Sequence, residues 1–379
     1  MPLRLTNDEL MTLLKSCLNS QTEEIKIFNI ETLSGGVLNQ NLKLETNHGD
    51  FVIKIFSQVQ LDPNAPATHQ EIYSLQQHLA NSHFPIPPPI GFHENFKGHD
   101  ILIMPFVRGK TPDIHPEFLL RFGKMLADFH NQLAEYPRFK RAPNDVLIFL
   151  SELGNSLWRG ITKFQIRAEI SYSTNLFRYA FNTLKYPHLG ALPHGINHGD
   201  LHLGNLLEDE EGRLVLLDLE LCSDAPYLKD IANALCMFCF ERNQGASEFN
   251  PEFALHLLSG YHLIRPLTKN EINLLPVFLK DRAWLERIGN HKLVNEGKPP
   301  GSPFAQAEFQ AIQRLVSPEH WILFAQSVST LVAPPPHHEQ VNPIYPHLLV
   351  QMPGNSKPSL NSNPFSQPTP RLDNFRVTP

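Results

Sequence analysis

Ile196-Asn197-His198-Gly199-Asp200-Leu201-His202-Leu203-Gly204-Asn205 is followed, nine residues on, by Leu214-Val215-Leu216-Leu217-Asp218. Asp200 and Asn205 stand five apart. Leu206-Leu207, the turn-like Glu208-Asp209-Glu210-Glu211-Gly212 and the apolar run Leu214 to Leu217 together predict a β-hairpin. A hairpin returns the chain beside its start, so Asn205 and Asp218 can meet on one cation. An isolated His-Gly-Asp is ordinarily a turn whose Asp caps a helix or bonds its own backbone. The spacing of all three residues, with the hairpin between them, outweighs that reading.

The same spacing resembles the kinase catalytic-loop pattern H-x-D-x-x-x-x-N, where the Asp takes the acceptor's proton and the Asn holds magnesium. The resemblance makes Asp200 the catalytic residue and Asn205 and Asp218 the metal ligands. Phosphoryl transfer also needs a lysine on the phosphates and a covering loop. Residues 27–56 supply both: a strand from Ile27 to Leu33, the loop Ser34-Gly35-Gly36, a strand from Asn41 to Thr46, and Phe51-Val52-Ile53-Lys54-Ile55-Phe56. Strand side chains alternate, so Lys54 shares a face with Val52 and Phe56. A lysine inside so apolar a strand is costly to bury unless an anion meets it. The expected partners are nucleotide phosphates and Glu71, on a helix whose buried stripe is Ile72, Leu75 and Leu79. Amides of Ser34, Gly35 and Gly36 could approach the phosphates unobstructed.

Asp218-Leu219-Glu220 and Asp224-Ala225-Pro226-Tyr227-Leu228-Lys229-Asp230-Ile231-Ala232 are similar to D-[FW]-E and G-D-P-x-x-x-D-[IL]-A segments of the aminoglycoside phosphotransferase and choline kinase group. Leu219 and Ser223 depart from that pattern. The chain resembles this group over roughly residues 25–330, and the resemblance implies the two-lobed protein-kinase-like fold. Within the group it looks most like homoserine kinases of this fold. Arg265-Pro266-Leu267-Thr268 and Arg282-Ala283-Trp284-Leu285-Glu286-Arg287-Ile288 resemble their R-P-L-T and R-F-W-L-S-R-L stretches. Lys54 and Glu220 depart from them toward the wider amine and amino-alcohol kinases. The resemblance further implies that backbone groups from Met104 to Phe106 bond adenine and that Asp230 ties the catalytic loop.

The fold class expected is therefore α+β, a small β-rich N-lobe and a larger, mainly helical C-lobe. The expected divisions are 1–104 for the nucleotide-covering lobe, 105–332 for the lobe carrying the catalytic loop and acceptor site, and 333–379 for a tail. Helices are predicted over Phe118 to Phe129 and within Leu153 to Leu184 from apolar periodicity. The Pro-, Asn- and Ser-rich tail buries too little apolar surface to offset ordering entropy, so disorder is expected there.

The sequence of 379 residues is 41% hydrophobic and carries a formal charge of −6, with basic residues dispersed, which excludes a general nucleic-acid binder. No apolar run approaches a membrane span and the N-terminus reads as a short amphipathic helix, so the cytoplasm is the expected compartment. Cys17, Cys222, Cys236 and Cys239 do not make a disulfide framework, and Cys236 and Cys239 read as packing residues in an apolar helix. The 19 histidines include no metal-ligand spacing such as H-E-x-x-H.

These readings converge on an ATP- and magnesium-dependent phosphotransferase acting on a hydroxyl of a small polar metabolite, an amino alcohol or hydroxy amino acid. Alternatives are a choline, ethanolamine or aminoglycoside kinase, and a catalytically idle nucleotide-binding module of the same shape. A zwitterionic acceptor needs a cation for its carboxylate and an anion for its ammonium. Arg282 and Arg287 are candidates for the first, Glu220 and Asp224 for the second. No segment specifies an oligomeric state.

Overall fold

A computed structural model describes residues 3–18, 24–33, 39–57, 67–139, 192–243, 246–295 and 305–329. The loop Ser34-Gly35-Gly36, the helices expected within Leu153 to Leu184 and the tail 333–379 lie outside the described residues. The chain opens with helix α1 (Asn7–Cys17), started by a Thr6/Glu9 capping box. Strands β1 (Ile27–Leu33), β2 (Gln40–Thr46) and β3 (Gly49–Ile55) follow, then helix α2 (His69–Asn81) and strands β4 (Gly91–Phe96) and β5 (His99–Pro105). They form one antiparallel sheet in the order β1-β2-β3-β5-β4. The period-two pattern decides which face is dry. Phe51, Ile53 and Ile55 of β3 pack with Leu42, Leu44, Ile101 and Ile103 against Leu10, Leu13 and Leu14 of α1. Lys54 falls on the opposite face, as alternation requires.

Strand β6 (Gly109–Lys110) leads to helix α3 (Pro116–Gln132), and β7 (His194–Asn197) to a short 3-10 turn at Leu203–Asn205. Strands β8 (Leu206–Asp209) and β9 (Leu214–Leu216) form the expected hairpin, with Leu206 opposite Leu216 and Glu208 opposite Leu214. Strand β10 (Ser223–Pro226) pairs antiparallel with β7. Helix α4 (Leu228–Phe238), the hairpin β11 (Phe240–Asn243) and β12 (Ala246–Phe249), and helices α5 (Pro251–Ile264), α6 (Lys269–Asn295), α7 (Ala305–Leu315) and α8 (Pro318–Ser329) complete the described chain. Helix α3 buries Phe118, Phe122 and Phe129, and Phe238 of α4 meets the Phe122 ring edge-on at 4.9 Å between centroids. Helices α3 and α5 cross at glycines. A Cβ on Gly123 would overlap the Leu257 carbonyl, and one on Gly260 the Leu120 carbonyl.

None of the four cysteines is in a disulfide. Cys236 lies in α4 and Cys239 caps it, as packing residues in an apolar helix would. Among the described residues no helix is long and apolar enough to cross a membrane.

Candidate active site

The segment between β7 and the 3-10 turn is held from below by a buried carboxylate. Asp230, in the first turn of α4 and fully buried, accepts from the backbone N–H of His198 at 2.7 Å and of Gly199 at 3.0 Å. Burial alone would raise its pKa. The hydrogen bond from His130, with these backbone donors, holds it below the usual carboxylate value instead. His130 of α3 sits at 3.2 Å from Asp230 and at 2.7 Å from the Tyr261 hydroxyl of α5, so three helices converge under the loop. Burial keeps His130 on the neutral side, against the pull of Asp230. The expected tie between Asp230 and the catalytic loop is thus visible as hydrogen bonds.

Gly199 adopts φ +82°, and a Cβ there would overlap the Leu221 carbonyl, so no other residue suits the position before Asp200. His198 then joins the loop to the hairpin: its Nε2 donates to Leu217 O at 2.9 Å, while its Nδ1 accepts from Asp200 N at 3.3 Å. Leu217 N in turn donates to Asn205 O at 2.9 Å. Leu217 is therefore fastened on both sides, and the next residue, Asp218, is delivered beside Asn205. Asp218 has φ +59°, a left-handed conformation that costs a non-glycine residue on the order of 1 kcal/mol.

The Asp200 carboxylate is half-exposed. It accepts from Asn205 Nδ2 at 3.2 Å and faces His202 Nε2 at 3.4 Å. Asn205 Nδ2 also donates to Asp200 O at 2.9 Å. The His202 bond, outweighing desolvation, lowers the Asp200 pKa, and the reciprocal bond raises that of His202. The charge of Arg282, on α6, opposes protonation of His202.

Asn205 and Asp218 suit a hard divalent cation. With its nitrogen committed to Asp200, Asn205 offers Oδ1, and Asp218 brings a carboxylate with 37% of its side chain exposed. Two oxygen ligands with phosphate and water completing the shell is how magnesium is ordinarily bound. Among the described residues no group of three or more His, Cys, Asp or Glu is gathered for a metal.

Lys54 is buried on the sheet's inner face, but its partner is not the one expected. Its ammonium meets Asp218 Oδ1 at 3.0 Å and the Glu220 carboxylate. Desolvation pushes the Lys54 pKa down, and the two carboxylates more than offset it, so the amine is held charged. Glu71 is engaged elsewhere, accepting from Thr68 N at 2.8 Å and Thr68 Oγ1 at 3.0 Å in the capping box that starts α2. The motif Thr68-x-x-Glu71 is a start signal legible in the sequence, and it claims the carboxylate that the lysine was expected to use.

Three other expectations change. Phe106 N donates to Asp50 O at 2.9 Å, extending the β3–β5 pairing by one residue, so that N–H is not free for adenine. Met104 is paired opposite Val52 inside the ladder. Glu220, taken by Lys54 and by Asn39 Nδ2 at 2.6 Å, is not open to an acceptor's ammonium. Asp224 faces Arg138 at 3.3 Å from β10, and its Oδ1 is buried without a hydrogen-bond partner. Arg282 donates Nε to Asn233 Oδ1 at 2.6 Å. Arg287 lies within α6, its side chain outside the description. Asn39, His202 and the Glu220–Lys54 pair were missed by sequence reasoning. His202 alone had a local signal, its place between Asp200 and Asn205.

Residues 29–269 match the phosphotransferase enzyme family known as APH. A homoserine kinase of Polaromonas naphthalenivorans is 26% identical over 290 residues, covering 70% of this chain and 83% of that protein. One from Parvibaculum lavamentivorans is 27% identical over 286 residues, covering 71% and 82%. In fold, the chain is similar to a choline/ethanolamine kinase family protein from Mesorhizobium loti, with a TM-score of 0.55 at 15% identity over 85% of this chain and 99% of that one. It is also similar to an aminoglycoside phosphotransferase from Alicyclobacillus acidocaldarius, with a TM-score of 0.53 at 14% identity, covering 87% and 97%. The chain belongs to the phosphotransferase enzyme family, as a small-molecule kinase of the protein-kinase-like fold.

Proposed function

We propose that the protein transfers the γ-phosphoryl group of ATP to a hydroxyl of a small polar metabolite, a hydroxy amino acid such as homoserine or a related amino alcohol. The observation that carries the reading is the convergence of Asp200, Asn205, Asp218 and Lys54, drawn from a sheet strand, the catalytic loop and the end of the β8–β9 hairpin. The homoserine kinase relatives support the acceptor class.

Asp200 Oδ orients the acceptor hydroxyl and receives its proton as the oxygen bonds to the γ-phosphorus and the bond from that phosphorus to the bridging oxygen breaks, releasing ADP. Its depressed pKa keeps it anionic and makes it a weak base, so its larger contribution is orientation. Asn205 does two jobs: its nitrogen aligns Asp200, and its oxygen with an Asp218 oxygen would hold magnesium. Bound magnesium neutralises charge on the phosphate oxygens. Lys54 directs its ammonium to the phosphates, and its burial strengthens that attraction.

The test is an acceptor screen following ADP release with ATP and magnesium over homoserine, other hydroxylated amino acids, choline, ethanolamine, sugars and aminoglycosides. Turnover of a hydroxy amino acid, falling by about 100-fold or more in Asp200→Ala, is the expected result. Asp200→Ala keeping more than about a tenth of the rate would overturn the assignment. On the active acceptor, Arg282→Ala should raise KM at least tenfold if a carboxylate is bound there, the size of a lost charge-assisted hydrogen bond. Turnover of choline, unaffected by Arg282→Ala, would move the acceptor class to carboxylate-free amines.

A further inference from the structure

The two carboxylates on Lys54 come from one short segment, yet they are not equivalent. Asp218 leaves 37% of its side chain exposed, Glu220 only 8%. Glu220 is also gripped from the sheet: Asn39 Nδ2 donates to both of its oxygens at 2.6 Å, and Asn39 Oδ1 accepts from Ser57 N at 2.9 Å. Asn39 and Ser57 flank β2 and β3, so the clamp is built on the strands that carry the lysine. Swinging Glu220 away would leave a part-buried amide and a buried ammonium each short of a partner. Among the described residues Asp218 has no grip from the sheet beyond Lys54 itself, and its other bond, from Glu220 N at 3.3 Å, is exposed to solvent. An ammonium has three donor hydrogens, so Lys54 can keep Glu220 and still present another to a phosphate oxygen.

We propose that Glu220 is the fixed partner that positions the phosphate-binding Lys54, with Asp218 the exchangeable partner released to the metal. The inference rests on the assignment of Lys54 to nucleotide phosphates and names the group that aims it. Glu71 does not fill that place, because its carboxylate closes the Thr68 cap. Without Glu220, the Lys54 ammonium would turn wholly to Asp218, and the metal ligand and the phosphate ligand would occupy each other.

Isothermal titration of the full chain with ADP and magnesium, well below each variant's melting temperature, tests this in wild type, Glu220→Gln, Lys54→Met and the double variant. Glu220→Gln is expected to weaken ADP by about tenfold or more, as for loss of a charge-assisted bond. The same change in the Lys54→Met background is expected to add less than about twofold, since Glu220 acts through the lysine. Asn39→Ala, which loosens Glu220 without touching Lys54, should weaken binding in the same direction and serves if Glu220→Gln does not fold. ADP bound equally or more tightly by Glu220→Gln, or an equal penalty in both backgrounds, would overturn the inference while leaving the lysine's assignment intact. A folded wild type that binds no ADP would overturn both.

Discussion

At the residue scale, the chemistry turns on how Asp200 is kept both anionic and aimed. His202 faces its carboxylate through Nε2, while Nδ1 accepts from Gly204 N at 3.0 Å, which fixes the neutral ring with its proton on Nε2. The Asp200 bond lifts the His202 pKa above the ordinary imidazole value of about 6.5, against the effect of burial. As pH falls through that raised value, the ring gains a charge that weakens Asp200 as a proton acceptor. It also gains a hydrogen on Nδ1, where Gly204 now donates, so the 3-10 turn carrying Asn205 loosens. The expected profile is a kcat/KM that rises with pH through an inflection above about 6.5 and loses that inflection in His202→Gln. For stability the sign is opposite. A histidine with a raised folded pKa stabilises fully below its unfolded value, and that contribution is lost as pH rises through the folded one. Steady-state rates and thermal melts over the same pH range should therefore move in opposite directions, and parallel movement would exclude this coupling.

At the element scale, helix α2 shows why a site can be read correctly in kind and wrongly in partner. The facing of β3, the β8–β9 hairpin and the catalytic-loop spacing were legible because each is set by residues within about a dozen positions: alternation in β3, turn residues at Asp209 to Gly212, and the Asp200–Asn205 interval. The partner of Lys54 was not, because Asp218 and Glu220 reach it from 164 residues or more along the chain. Local and long-range roles competed for Glu71, and the local one, a capping box, prevailed. Glu71→Ala should therefore act on stability first, lowering it by about 1 kcal/mol in a urea melt, as loss of a good N-terminal cap does. ADP affinity should follow that loss no further than about twofold; a tenfold loss would return Glu71 to the lysine.

At the scale of the whole molecule, the sheet and the catalytic segment are joined by charge. Lys54 and Asn39 of the sheet region hold Asp218 and Glu220 beyond the hairpin, and Leu216 N donates to Pro85 O at 2.9 Å alongside them. A buried ion pair contributes little net stability, because desolvating both partners offsets their attraction, but removing one partner strands the other. Lys54→Met should thus destabilise the nucleotide-free protein by about 3 kcal/mol, since Glu220 stays buried without its cation. If the cost is that stranded charge and not lost packing, adding Glu220→Gln to Lys54→Met should recover most of it, although neither variant restores nucleotide binding. Denaturant melts of the two variants decide the matter. A double variant no more stable than Lys54→Met would mean that the lysine's aliphatic stem, packed on the sheet face, carries the loss, and that the charges join the two lobes without holding them.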